Sequence, residues 1–318
     1  MAEKNKALSI EEQVFLMRKY IIFSKNTKRM KKFLTYTGYF RASRYGKFLI
    51  SNTNVLGGKP KQDLLFNIYD FDMKLREVLM RYCKRAEIQF KSHLSNSISI
   101  KTGNPIFYID EEYYTPSKSE NNKKKKQMSK NKYIKFEEDI IKKERELRYN
   151  SIKYPELKEY RKGGKKSGYE IPSWVAFSYF DFGTVTYVYK YLKGDLRKEV
   201  LKYGYSKKRY GKEVTKQMDT WLDAIRNLRN ICAHHNLLVG KTSSVVLFSS
   251  EDDDVTSALN NTDLFSRLYA LKKVLNSDDS KLLKKDLNKI IMRSKIDIFK
   301  LNILPENWED IYDSINLL

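Results

Sequence analysis

Residues 229–236 read RNICAHHN and gather Arg229, Asn230, His234 and His235, two of them drawn from only three histidines in 318 residues. A histidine, with an unperturbed pKa of ~6.5, can take up and return a proton near neutral pH. An arginine stays charged and can hold phosphate oxygens with two parallel N–H bonds. Together they suit cleavage of a phosphodiester. In RNA the 2′-hydroxyl is the nucleophile, so a base, an acid and a cation for the transition state suffice, and neither a metal nor a cofactor is called for. The rival reading, a metal site at His234 and His235, meets two objections: adjacent histidines on a helix diverge, and neither H-E-x-x-H nor a Cys/His quartet occurs.

The element that must position these side chains is the stretch EVTKQMDTWLDAIRNLRNICAHHNLL. At ~100° per residue, Met218, Trp221, Leu222, Ile225, Leu228 and Cys232 form an apolar stripe, and Asp223, Arg226, Asn230 and His234 line the other side. Arg226, Asn230 and His234 recur every fourth residue, so a cation, an amide and an imidazole share one ridge. His235 turns toward the apolar flank and reads as structural or auxiliary. Arg229 and His234 point ~140° apart on an ideal helix. A long arginine side chain, a helix that ends near His234, or a second copy of the motif across a two-fold axis would each bring them to one phosphate.

Lys and Arg number 62 against 39 Asp and Glu, a formal charge of +23. Such an excess disfavours compaction unless a polyanion neutralises it, which makes nucleic acid the leading partner. Aromatic residues make up 13 %, with 23 tyrosines, and rings beside cations supply stacking platforms for unpaired bases. An AT-rich genome would also raise Lys, Asn, Ile and Tyr, but it does not require so large a net charge. Two cysteines, Cys83 and Cys232, are too few for a disulfide scaffold. MAEKNKALSI lacks the apolar run of a signal peptide, and no window reaches the ~18 apolar residues of a membrane span, so a cytoplasmic chain without a membrane partner is expected.

Residues 1–60 read as a basic, aromatic, helical N-terminal region and residues 61–318 as the main helical domain. Ser9 and Glu12 have capping-box spacing, which places the start of a first helix near residue 10. KKFLTYTGYFRASRYGKFLI interleaves Tyr36, Tyr39, Phe40 and Tyr45 with cations that include Arg41 and Arg44; the rings can pack a core or meet RNA, and the two arginines can serve either face. From Asp63 to about Ser99, apolar residues at three- and four-residue steps predict the longest helix. His93, near its end, reads as a surface residue or a partner of the helix dipole.

Residues 116–168 read as a basic, partly flexible insertion, with Lys123, Lys124, Lys125 and Lys126 as candidate phosphate contacts. Its GGKKSG run lacks the spacing of a P-loop. Residues 172–203 predict an aromatic-rich helix that buries Trp174 and much of the tyrosine, with Gly183 as a close-packing point or break. The tail predicts helices near 262–276 and 279–292 and a closing LPENWEDIYDSINL segment. Strand signals are confined to short runs such as SVVLF, so the class is all-α.

RNICAHHN also matches the R-x4-6-H signature of HEPN domains. YFRASRY, PSWVAFSYFDFGTVTYVYKYL, RNLRNICAHHN and LPENW resemble, in the same order, the bacterial abortive-infection proteins of the AbiD/AbiF type. That resemblance implies a HEPN-like helical bundle, commonly dimeric, with metal-independent endoribonuclease chemistry in anti-phage defence. It also implies Arg229 and His234 as the catalytic pair with Asn230 as the accompanying polar residue. Since a single R-x4-6-H lies in a helical context, a complete site would take two chains. Similar proteins occur beside small structured RNAs, so the alternative is a non-catalytic protein that holds such a noncoding RNA as a ribonucleoprotein.

Overall fold

The computed structural model describes residues 7–23, 25–115, 123–161, 171–205, 210–211 and 213–318. Among them no strand forms; Ile22 with Lys61 and Tyr114 with Leu192 make isolated bridges. The all-α class holds, and SVVLF is irregular, its Val246 N–H bonded to the Asn261 carbonyl. The helices in chain order are α1 (Ile10–Met17), α2 (Lys28–Thr37), α3 (Tyr39–Ser51), α4 (Thr53–Leu56) and α5 (Gln62–Thr102). After them come α6 (Lys123–Tyr149), α7 (Ser173–Tyr179), α8 (Phe182–Tyr191), α9 (Gly194–Gly204) and α10 (Val214–Ala233). The tail carries α11 (Asp253–Thr256), α12 (Leu264–Val274), α13 (Ser277–Met292) and α14 (Trp308–Ser314). No helix of the described residues is long and apolar enough to cross a membrane.

The chain divides into two compact units. The first comprises Met1–Cys83, Asn227–Lys272 and Asn276–Asn316; the second comprises Lys84–Arg226, Lys273–Leu275 and Leu317–Leu318. The first opens with α1, where the Ser9 hydroxyl accepts from the Glu12 N–H and the Glu12 carboxylate accepts from the Ser9 N–H, the reciprocal cap that the spacing predicts. The apolar stripe of α5 is buried as expected, from Leu65, Ile68 and Phe71 through Leu79 and Tyr82 to Phe90 and Leu94. In the tail, the Asn276 side chain caps α13 through the Asp279 N–H.

In the second unit the expected 172–203 helix is three helices. The chain breaks at Asp181 rather than at Gly183, because the Asp181 carboxylate accepts from the Thr184 N–H at 2.9 Å, from its hydroxyl at 2.7 Å and from Lys143 at 2.7 Å. These bonds satisfy an N-terminus that a continuous helix would not have. Burial opposes the carboxylate's charge, but Lys143 and Thr184 outweigh it and hold the group down at about 2. A second break follows α8, where Leu192 bridges Tyr114 and the Lys193 N–H bonds the Tyr113 carbonyl. Trp174 is not buried but 47 % exposed, because Ser173, Ala176 and Phe177 form the inward face of α7 and Trp174 lies off it.

Residues 116–122 and 162–170, which take in both ends of the expected 116–168 insertion, lie outside the described residues; between them α6 is a 27-residue helix. His93 is not a surface residue. Its ring meets Tyr203 and Tyr205 edge-on and lies so close to Gly204 that a Cβ there would stand 2.0 Å from Nδ1. Burial lowers the pKa of this imidazole below the usual histidine value. The unfolded chain therefore takes up a proton near pH ~6.5 before the folded chain does, so the contribution of His93 is complete above that pH and is lost as pH falls toward the folded value. Urea unfolding at pH 7.5 and 5.5 should show wild type losing more stability on acidification than His93→Gln; equal losses would remove His93 as the cause.

Candidate functional site

All of the RNICAHHN residues lie in the first unit, at the C-terminal end of α10. The helix ends at Ala233. The Asn236 N–H bonds the Ile231 carbonyl at 3.0 Å and the His235 N–H bonds the Cys232 carbonyl at 3.2 Å, the crossed pair of a Schellman turn. The turn requires a left-handed residue at its C′ position, where glycine is usual, and His235 takes that position with φ 52°. The backbone strain at His235 is about 1 kcal/mol or more for a residue with a side chain.

The polar residues at this helix end stay accessible. His234 and His235 are exposed, Asn230 is exposed, and Arg229 is half-buried beside it with Nη1 3.4 Å from Asn230 Oδ1. Asn230 also anchors His234 through the backbone, its carbonyl accepting from the His234 N–H at 3.0 Å. Beneath them Cys232 is buried, and burial pushes its thiol up to about 12, favouring the protonated form. Among the described residues no group of three or more His, Cys, Asp or Glu side chains is placed to hold a metal ion.

A second element reaches the same place. Arg44 of α3 donates Nη1 to Asn236 Oδ1 at 3.1 Å across 192 residues of sequence. It joins a cation from the basic, aromatic N-terminal region to the residue that follows His235. Arg41 lies on the same helix, half-buried. Arg226 belongs to the second unit, where it pairs with Asp223 at 2.9 Å and lies over the Tyr187 ring. Lys123, Lys124, Lys125 and Lys126 open α6, and their side chains lie outside the described residues.

What holds this arrangement is a buried polar network absent from the expected site. Asp72 of α5 is fully buried. Its Oδ1 accepts from the backbone N–H groups of Leu238 at 3.1 Å and Val239 at 2.9 Å, just beyond the histidine turn. Its Oδ2 accepts from the Tyr45 hydroxyl at 2.6 Å and from Arg76 Nε at 3.0 Å. Burial first, and the Asp72 charge next, push the Tyr45 phenol far above its ordinary range, so it is a donor at any working pH. A single signal could have exposed this hub: Asp72 stands four residues from Ile68 and three from Leu75, on the apolar stripe of α5, where a charge must find partners. The loop then closes on Gly240 (φ 66°), where an added Cβ would come within 2.3 Å of the Phe48 ring.

A family model described as Abi-like protein matches residues 32–239. The chain belongs to the Abi-like protein family. No curated protein and no solved structure matches it. The matched segment of this Abi-like protein takes in Tyr45, Asp72, Arg76 and the whole of RNICAHHN, and it ends at Val239, whose N–H meets Asp72. The family associates the protein with abortive-infection defence.

Two variants test the frame of the site. Asp72→Ala strands Arg76 in the interior and should cost about 3–5 kcal/mol in chemical denaturation, as for other broken buried ion pairs; a loss below 1 kcal/mol would contradict the role given to the network. At the turn, His235→Gly should raise stability by about 0.5–1 kcal/mol and His235→Val should lower it, because only glycine adopts φ 52° without strain. The reverse order in thermal or urea unfolding would rule out the backbone role.

Proposed function

We propose that this Abi-like protein is an RNA-binding effector of abortive infection that cleaves RNA without a metal, using Arg229, Asn230 and His234. The 2′-hydroxyl gives up its proton to a base and attacks the adjacent phosphorus. The bond from phosphorus to the 5′-oxygen breaks, and that oxygen takes a proton, leaving a 2′,3′-cyclic phosphate and a 5′-hydroxyl. His234 exchanges the proton, Arg229 holds the charge gathering on the phosphate oxygens, and Asn230 braces Arg229. One histidine per chain serves as base or acid, and a homodimer supplies the second from the partner's copy of the motif. No cofactor takes part.

The observation that carries this reading is the accessible end of α10, where Asn230 meets the Arg229 guanidinium with its side chain and the His234 N–H with its carbonyl, and the backbone is held on both sides of the turn. Arg44, bonded to Asn236, adds a cation. The charge of +23 also favours a second reading, a protein that binds a small structured noncoding RNA as a ribonucleoprotein without cutting it.

The two readings part at His234. In EDTA, with RNA that co-purifies with the protein supplied as candidate substrate, wild type should cleave RNA and His234→Ala and Arg229→Ala should each lose about 100-fold or more. Equal cleavage by wild type and His234→Ala sinks the nuclease assignment, and tight, salt-sensitive binding with no cleavage by either establishes the ribonucleoprotein reading.

A further inference from the structure

The basic, aromatic segment separates in the structure into a buried and an exposed set. Tyr45 is fully buried in the Asp72 network, whereas Tyr36 is 82 % exposed and Phe40 is 78 % exposed. Tyr36 lies in the last turn of α2 and Phe40 in the first turn of α3, on either side of Gly38, whose φ of 79° turns the chain between them. Neither ring is buried; the exposed Lys32 lies one turn before Tyr36 on α2, and the exposed Lys47 lies two turns after Phe40 on α3.

Phe40 is tied to the candidate site through one residue. The Arg44 guanidinium lies over the Phe40 ring, 5.9 Å from its centroid, and the same guanidinium bonds Asn236, two residues from His234. An exposed ring, a cation over it and the end of α10 thus form a continuous path within the first unit. A flat apolar ring next to a phosphate-binding cation is the pairing that unpaired nucleotides use, since the base stacks while its phosphate meets the cation. A duplex keeps its bases stacked on one another and presents no such face.

We infer that Phe40 is the base-stacking platform of a nucleotide subsite, with Arg44 taking the adjoining phosphate, and that this subsite makes the protein select single-stranded over double-stranded RNA. The inference rests on the reading of the α10 end as an RNA site, and deepens it by naming what lies next to the scissile bond. Phe40 is a specificity residue and takes no part in proton transfer.

The test separates binding from cleavage. A single-stranded 2′-O-methyl RNA oligonucleotide cannot supply the attacking hydroxyl, and a 2-aminopurine within it reports stacking by loss of fluorescence. Binding of this probe and of its duplex is measured by titration for wild type, Phe40→Ala and Phe40→Trp, with circular dichroism and sedimentation confirming fold and mass. Phe40→Ala should weaken single-strand binding roughly tenfold, the scale of one lost base–ring stack. It should also abolish the fluorescence change and leave duplex binding as it was, and Phe40→Trp should restore both single-strand signals. The inference is overturned if the alanine variant binds the single strand as wild type does, if it weakens strand and duplex alike, if wild type binds no strand, or if the substitution lowers the sedimenting mass, which would make the patch a contact between copies. Phe40-dependent binding by a wild type that fails to cleave unmodified RNA removes the nuclease reading and keeps the subsite. Cleavage with binding indifferent to Phe40 does the opposite.

Discussion

Asp72 keeps a fully buried carboxylate among the Tyr45 hydroxyl, the Arg76 guanidinium and the backbone N–H groups of Leu238 and Val239. A charge in the interior is tolerated only when its oxygens are met by donors, so these groups must arrive together or the first unit forfeits several kcal/mol. They come from α3, from α5 and from the chain that leaves α10. The interaction therefore couples helix packing to the placement of the histidine turn. Residues 234–237 are held from below by the Schellman bonds and from above by Asp72, and the exposed His234 side chain projects from a backbone anchored at both ends. Ordering of that kind fixes the backbone of the turn in advance and so removes conformational entropy from it.

The same region separates rigidity from accessibility. The ion pair and phenol lie inside, while Asn230, His234 and Phe40 face water. His235 illustrates the compromise: its left-handed backbone reverses the chain at the helix end and carries strain that a glycine would not. Arg44 crosses the boundary, half-buried, with one amide partner in Asn236 and one aromatic partner in Phe40. A folded core built around Asp72 thus presents a polar, partly aromatic edge, most of it within the segment that the Abi-like family model matches.

Much of the helical content was legible because it follows from local periodicity. The α5 stripe, the Ser9 cap and the end of α10 near His234 all rest on residues three or four apart. The structure departs from local periodicity chiefly where a partner outside the helix decides the outcome. Asp181 breaks the aromatic helix because Lys143 and Thr184 satisfy its carboxylate. His93 is drawn inward by Tyr203, Gly204 and Tyr205, more than 100 residues along the chain. SVVLF has the composition of a strand but no strand to pair with among the described residues. Trp174 reads as core by type, yet its neighbours at helical spacing take the inward face.

By itself the sequence determined the all-α class, the amphipathic faces, the cationic excess, the resemblance to abortive-infection proteins and the grouping of Arg229, Asn230, His234 and His235 at one helix end. Each depends on composition or on spacing within a few turns. Only the tertiary structure decided that Tyr45 is core while Phe40 is surface, that Asp72 clamps the backbone after the motif, and that Arg44 meets Asn236 across 192 residues. Helical periodicity says which residues share a face, but which faces meet is settled by close packing and by the need of each buried charge for its donors.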